Sequence, residues 1–390
     1  MTTQTAVLKP QLPKVGVVKG LLLTLPIALL TAMMLTGGQS LSDPLQIAAT
    51  AVTWLVLNAF FFRMLTTGQT HRYRSVLFIA MALAMVLWFM VEVFSTRGSN
   101  VLNDVNVIQG ETPFCHLVIP MIILPALLTG TIIFPGSLLS GFAPVAGMVV
   151  LWVGTTLALG RGFCSWVCFY GGWDEGFSRL LKKPRLKIGD RRWTYLPWAM
   201  LLFIVLTSAV TLSPIYCEWF CPFKTVTEFG EVKSIIAVVQ TAIFLSLFAG
   251  LVILLPLLTK RRTQCGLFCP FGAMQSLTNK VNIFDVRIDP EKCTQCGLCV
   301  KNCPTFSLSE ESVKQGRTLM TCTKCGQCVD ACPKKAISFH IKGTRPGLNA
   351  NAARVLFLYP AFLVFAAMGG GMIATGLWRI LKLITTGSLL

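Results

Sequence analysis

The chain has 390 residues, 54% of them hydrophobic and only 13% charged. A mean hydropathy of +0.68 excludes an ordinary soluble enzyme and places most of the length in lipid. The net charge of +18 would suit a nucleic-acid binder, but the basic residues fall in short clusters between apolar runs, where they mark the cytoplasmic loops of a membrane protein, so no nucleic-acid partner is expected.

In chain order, Lys9, Lys14 and Lys19 precede an apolar run from Gly20 to Thr36, close to the roughly 20 residues that cross a bilayer core. No small-x-small cleavage site follows, which favours an anchor over a cleaved signal peptide. Leu45 to Leu65 and Ser75 to Ser95 are the next expected spans, and Arg63, His71, Arg72 and Arg74 between them belong inside with the N-terminus. Pro120 and Pro125 interrupt the apolar stretch 116–134, which reads as a re-entrant or interfacial segment that must be buried in protein. Only Phe142 to Gly160 then crosses inward, because between positions 161 and 192 eight basic residues face three acidic ones. Trp193 to Leu212 leads out and Ile235 to Leu258 leads back to Lys260-Arg261-Arg262 at the inner face. Ala353 to Leu377 is the last expected span, leaving Arg379 and Lys382 outside.

The expected fold class is a mainly α-helical polytopic membrane bundle carrying an inserted two-cluster ferredoxin domain and a C-terminal membrane helix. Its divisions are N-terminal helices over 1–114, a membrane core over 115–284, the ferredoxin over 285–342, and a last helix and tail over 343–390. Few charges lie within the spans, Glu92 near a span end being the clearest, so an ion path has little support.

The ferredoxin rests on two runs, Cys293-Thr-Gln-Cys296-Gly-Leu-Cys299 closing at Cys303-Pro304, and Cys322-Thr-Lys-Cys325-Gly-Gln-Cys328 closing at Cys332-Pro333. In such a run three close thiolates bind one 4Fe-4S cluster and the fourth, before proline, binds the other. The expected wiring is therefore crossed. Cys293, Cys296, Cys299 and Cys332 hold one cluster, and Cys303, Cys322, Cys325 and Cys328 hold the second. Paired Cys-x2-Cys elements also make structural zinc sites, but two complete runs each closed by Cys-Pro favour clusters. Thiolate ligands need a reducing compartment, so this part should face the cytoplasm.

Six of the remaining seven cysteines form pairs of one spacing: Cys164 with Cys168, Cys217 with Cys221, and Cys265 with Cys269. The first and third share the order Cys-x3-Cys, an aromatic or proline, an aromatic, then glycine, and read as an internal repeat. Cysteines four apart share a helix face, and a following helix N-terminus favours thiolates. Cys164, Cys168, Cys265 and Cys269 are thus candidates for a third redox centre, an iron-sulfur cluster or another metal, near the inner face, against the plainer reading of small buried residues. By the topology above, Cys217 and Cys221 fall at the outer face near Cys115 and His116. Those four residues could form an outer metal site, and a Cys217–Cys221 disulfide is the alternative. The three histidines offer no stacked pair for a b-type haem, and no Cys-x2-Cys-His attaches a covalent one.

Arg161-Gly-Phe-Cys164-Ser-Trp-Val-Cys168, then Cys265-Gly-Leu-Phe-Cys269-Pro270-Phe-Gly, then the twin ferredoxin runs together resemble the NapH-like and NosR-like membrane polyferredoxins over 145–342. The order departs at Phe169, where the family has proline, and in the additional Cys217/Cys221 pair. The resemblance implies an inner-membrane iron-sulfur protein passing electrons between quinol or a cytoplasmic donor and an extracytoplasmic reductase or carrier. For quinol, Trp166, Tyr170, Trp173, Asp174 and Glu175 are candidates, since quinol oxidation needs a carboxylate to take protons. An interfacial aromatic belt with ordinary surface acids is the alternative reading. A metal reductase serving assembly of a respiratory enzyme is the competing function, because soft thiolates also suit Cu(I).

Overall fold

The computed structural model describes residues 14–37, 43–95, 116–130, 145–188, 191–227, 234–344 and 350–388. Cys115 lies outside them, as does the side chain of Glu92. Ten helices build the frame: α1 Val17–Thr36, α2 Pro44–Thr67, α3 Thr70–Ser95, α4 Ile119–Thr129, α5 Val145–Leu159, α6 Phe169–Leu180, α7 Leu196–Thr211, α8 Ile235–Thr259, α9 Pro270–Thr278 and α10 Ala350–Thr386. Among the described residues five helices are long and apolar enough to cross a membrane, namely α1, α2, α7 with its leading turn, α8 and α10.

Local chemistry sets several of these boundaries. Asp43 caps α2 by accepting from the Leu45 amide at 2.9 Å, with Pro44 in the first turn. At its other end Gly68 takes φ 75°, and this left-handed residue turns the chain straight into α3. The first residues of the 116–130 stretch, from His116 to Ile122, are all buried, whereas Leu127 and Leu128 are exposed. Protein rather than lipid therefore surrounds its N-terminal half.

The last helix differs from the expected Ala353 to Leu377. It runs on to Thr386 through a wide π turn at Ala366–Gly370, and at 37 residues it is longer than the roughly 20 that a bilayer core requires. Arg379 is not a stray charge beyond a span. Its guanidinium donates to the Leu87 carbonyl of α3 at 2.7 Å, and the neighbouring Trp378 indole donates to Asp43 at 2.6 Å. Gly376 lets the α10 backbone approach α3, since a Cβ there would lie 3.1 Å from that of Ala84.

Residues 284–341 close on a two-stranded antiparallel sheet, β1 Phe284–Ile288 with β2 Ile337–Ile341, in the register Phe284↔Ile341 to Ile288↔Ile337. The two cysteine runs lie between the strands. This unit gathers one set of helix ends. Lys324 Nζ donates to Leu159 O at the end of α5 (3.0 Å), Asn282 to Leu157 O (2.7 Å), and the Arg262 amide past α8 to Pro304 O (2.8 Å). Asp330 accepts from the His71 and Arg72 amides at the start of α3, at 3.0 and 3.3 Å. Arg354 at the start of α10 ties in the end of α2 through Met64 O and Leu65 O. His71, Arg72, Arg74 and Arg262 thus lie on the ferredoxin side of the bundle.

Candidate functional site

Each cysteine run wraps a cavity. One is lined by Cys293, Cys296, Cys299 and Cys332, the other by Cys303, Cys322, Cys325 and Cys328. Each cavity draws three cysteines from one run and the cysteine before proline from the other. The loops repeat residue for residue. Gln295 and Lys324 both take φ 50°, Gly297 and Gly326 follow with positive φ, and the Ser307 and Ala336 amides donate to Cys303 Sγ and Cys332 Sγ at 3.2 and 3.3 Å. Amide donors aimed at sulfur favour the anionic form, the state a cluster ligand must adopt. Among the described residues no three His, Cys, Asp or Glu side chains converge tightly enough for a single metal ion. Four sulfurs spaced around a cavity suit a cubane better than one zinc ion.

The two cavities differ in environment. Cys303, Cys325 and Cys328 are buried, whereas Cys296 is exposed. Burial pushes the thiols of Cys303, Cys322, Cys325 and Cys328 up from their ordinary range. The buried cavity is also the one against the membrane part. Trp166 Nε1 donates to Lys324 O at 3.3 Å, and the Arg74 guanidinium bridges Ser165 O and Cys325 O.

In the membrane part, Cys164, Cys168, Cys265 and Cys269 are all buried and within electrostatic reach of one another. Their two segments are related by an approximate two-fold exchange. Arg161, three residues before Cys164, donates to Cys265 O at 3.0 Å and Ser276 Oγ at 2.8 Å. Arg262, three residues before Cys265, donates to Cys164 O and to Ser165 Oγ, both at 2.7 Å, and to Cys265 Sγ at 3.1 Å. Each arginine therefore clamps the other motif. Gly171 and Gly272, each three residues after the second cysteine, leave room for it: a Cβ at Gly171 would lie 2.7 Å from Cys164 O, and one at Gly272 3.1 Å from Cys265 O.

Both guanidinium groups are buried, and the Nε of each has no partner among the described residues. A buried cation needs an anion nearby. Arg262 has Glu175 Oε2 at 3.9 Å, whereas Arg161 has no carboxylate partner among the described residues, and four thiolates around a 4Fe-4S core, with about two net negative charges, would supply an anion beside it. The donor set and its counter-charge therefore fit such a cluster. His116 completes the surroundings, with Nε2 3.1 Å from Cys168 Sγ and its ring 4.9 Å from Phe271 and 5.2 Å from Phe163.

His116 thus contacts the first pair, and its turn also lies beside Tyr216–Phe220, the segment that carries Cys217. No disulfide joins Cys217 to Cys221, and their segment is packed onto the other two: Phe223 stacks on Tyr170 at 4.0 Å and Tyr216 OH accepts from Gln264 Nε2 at 3.3 Å. The third motif is itself folded back into the bundle, since Thr263 donates to Leu251 O, two turns up α8. The five residues suggested for quinol are engaged within the protein. Trp166 is buried against the ferredoxin, and Trp173 packs on Phe177 and Phe248. Asp174 accepts from the Cys265 amide at 2.9 Å, while Glu175 pairs with Arg74 at 2.5 Å and Arg179 at 3.0 Å. Both carboxylates are fully buried members of the frame around the cysteines.

Comparison with known proteins agrees with this layout. A 4Fe-4S dicluster domain model matches residues 285–333, and a 4Fe-4S binding domain model matches three times, over 140–187, 193–233 and 241–288. The chain is 27% identical over 332 residues to the Escherichia coli (strain K12) protein YccM, named for electron transport, covering 82% of this chain and 88% of that one. It is 30% identical over 178 residues to the ferredoxin-type protein NapH of the same organism, covering 43% of this chain and 57% of NapH. The chain thus carries 4Fe-4S binding regions and is similar to electron-transport and ferredoxin-type proteins. The regulatory protein NosR of Pseudomonas aeruginosa is 26% identical over 171 residues, which is 40% of this chain but 22% of NosR. No solved structure matches.

The triple match raises the number of repeated cysteine motifs from two to three. Residue order relates only the first and third motifs, yet the second is built in the same way. Cys168, Cys221 and Cys269 share an extended backbone, with φ −69°, −81° and −66°, that ends a tight turn and starts the next helix. The second and third motifs even share a left-handed residue five positions before the first cysteine, Leu212 and Lys260. What the second lacks is the clamp, since Pro214 and Lys224 stand where the others have arginine and glycine. The clamp role of Arg161 and Arg262 is not apparent in the sequence, where loop arginines read first as topology markers. Their common offset from cysteine was the signal.

Proposed function

We propose that this protein is a membrane electron conduit in which a centre held by Cys164, Cys168, Cys265 and Cys269 exchanges electrons with the inner ferredoxin cluster, and that cluster with the outer one. The observation that carries the reading is the seam where Trp166 and Arg74 join the first cysteine motif directly to Lys324 and Cys325. Exposed Cys296 makes the outer cluster the point of exchange with a soluble partner. On this reading the ferredoxin faces the cytoplasm with the basic loops. Electrons then run between quinol at the membrane centre and a soluble redox partner at the outer cluster on the ferredoxin side, in keeping with the relatives' names for electron transport and ferredoxin-type proteins. When quinol is the donor it yields two electrons and two protons, and the electrons enter the clusters singly.

Electron paramagnetic resonance before and after quinol, with iron counts, tests the proposal. Three clusters require about twelve irons per chain, falling to about eight in Cys164→Ser with the ferredoxin signals kept. About eight irons in both proteins would remove the membrane centre. A metal reductase is the second reading, favoured by the Cys168–His116 contact, a sulfur-and-nitrogen pair that also suits copper. Copper bound at this site, with no third cluster signal, would select it.

A further inference from the structure

The two ferredoxin loops share a backbone but differ in charge at one position. The left-handed residue before the second cysteine of each run is Gln295 in one loop and Lys324 in the other, and each lines its own loop's cavity. Gln295 is neutral and exposed, whereas Lys324 is a cation only 2% exposed. Lys324 Nζ donates to Leu159 O at 3.0 Å and to Asn279 Oδ1, both uncharged acceptors. Gly160 leaves room for it, since a Cβ there would lie 3.1 Å from the ammonium nitrogen. Among the described residues no carboxylate stands at ion-pair distance from Nζ. Asp285, within electrostatic reach, is held by Arg287 at 2.7 Å and His340 at 2.8 Å, and Lys342 adds a second positive charge nearby. Arg74, the other buried cation beside this cavity, is by contrast paired with Glu175.

A charge taken out of water needs an opposite charge, and the cysteines of the inner cavity are what Lys324 has left. It lies within electrostatic reach of Cys322, and Asn279 ties the two together, its Oδ1 accepting from Nζ while its Nδ2 donates to Cys322 O at 2.8 Å. A 4Fe-4S core with four thiolates gains a negative charge on reduction, so a fixed positive charge beside it favours the reduced form, most strongly where little water intervenes. Burial by itself acts the other way, because it penalises the added charge. We infer that Lys324 is a potential-setting residue, whose buried ammonium raises the reduction potential of the inner cluster and offsets the burial that makes that cluster hard to reduce. At the outer cluster, where Gln295 and Cys296 are exposed, water does this instead. The inference rests on the electron-conduit reading, in which every electron passes the inner cluster and Trp166 binds the carbonyl of this same lysine.

Titration of the intact purified protein with dithionite and redox mediators, read by paramagnetic resonance, gives each cluster's potential without quinol or turnover. Lys324→Gln puts the outer loop's residue into the inner one. At a fixed potential its inner cluster should show a reduced-to-oxidised ratio at least tenfold lower, which is about 59 mV for one electron, while the outer cluster's ratio changes less than twofold. Lys324→Met, which cannot hydrogen-bond there, should fall as far, because both variants lose the same charge. An unchanged inner potential in Lys324→Gln overturns the inference. So does a fall in Lys324→Met alone, which would trace the effect to hydrogen bonding, or an equal fall in Lys324→Arg, which keeps the charge. If Lys324→Gln loses the inner cluster, the potential in Lys324→Met decides, and loss of that cluster in both makes Lys324 a structural residue and ends the proposal. Reduction by quinol is read separately. If quinol reduces the clusters while no substitution moves the inner potential, the conduit reading stands and this role falls; if the potential moves but quinol reduces no cluster, the role stands and quinol as donor falls.

Discussion

Arg161 and Arg262 hold the membrane cysteines by crossing over, each bonding a carbonyl and a hydroxyl of the opposite motif. The fork presents its donors from two separate nitrogens, Nη1 and Nη2, a geometry that the single nitrogen of lysine does not reproduce. Arg262→Lys is expected to lose hydrogen bonds worth about 1.5–3 kcal/mol each for a charged donor. The readout is iron, predicted to fall from about twelve to about eight per chain while both ferredoxin signals persist; unchanged iron would show that the clamp is dispensable. A second residue-scale prediction concerns pH. Burial holds the thiols of Cys303, Cys322, Cys325 and Cys328 above their ordinary range, so the cluster-free loop keeps them neutral near pH 7. Cluster binding must release those protons, and rebuilding the inner cluster should therefore become more favourable as pH rises. Reconstitution followed by visible absorbance from pH 7 to 9 checks the sign. The eight ferredoxin cysteines were legible in sequence because their neighbours along the chain define them. His116 was not, because its contact with Cys168 spans 52 positions and depends on how α4 enters the bundle.

Among the elements, α3 links the membrane part to the ferredoxin by its N-terminus. Its first free amides find an acceptor on another unit, Asp330, which serves as a cap supplied in trans to His71 and Arg72. Removing a capping oxygen costs about 1 kcal/mol, roughly a five-fold change in local opening. Asp330→Ala should thus raise hydrogen exchange at residues 71–73 by about that factor while leaving cluster content intact. Unchanged exchange there would mean that Arg74 and Lys324 hold the seam alone. Apolar length located the spans, and prolines flagged the irregular stretch around α4. The folded-back third motif carried no such flag. Its return beside Leu251 depends on Lys260 taking a left-handed conformation, which a lysine codon does not announce.

At the scale of the whole molecule, the arrangement places the centres in series. The buried ferredoxin cavity lies against Trp166 and Arg74, and the other carries the exposed Cys296. Series order makes an asymmetric prediction that a parallel arrangement does not. Cys296→Ala removes the outer cluster only, so quinol should still reduce the inner one at the wild-type rate while transfer to a soluble acceptor drops to background. Cys322→Ala removes the inner cluster, and the outer one should then stay oxidised on quinol addition although all four of its cysteines remain. Freeze-quench paramagnetic resonance separates the cases, with dithionite reduction confirming that the surviving cluster is present in each variant. Wild-type reduction of the outer cluster in Cys322→Ala would break the series, because electrons would then reach the exposed end without passing the seam that Trp166 and Arg74 build.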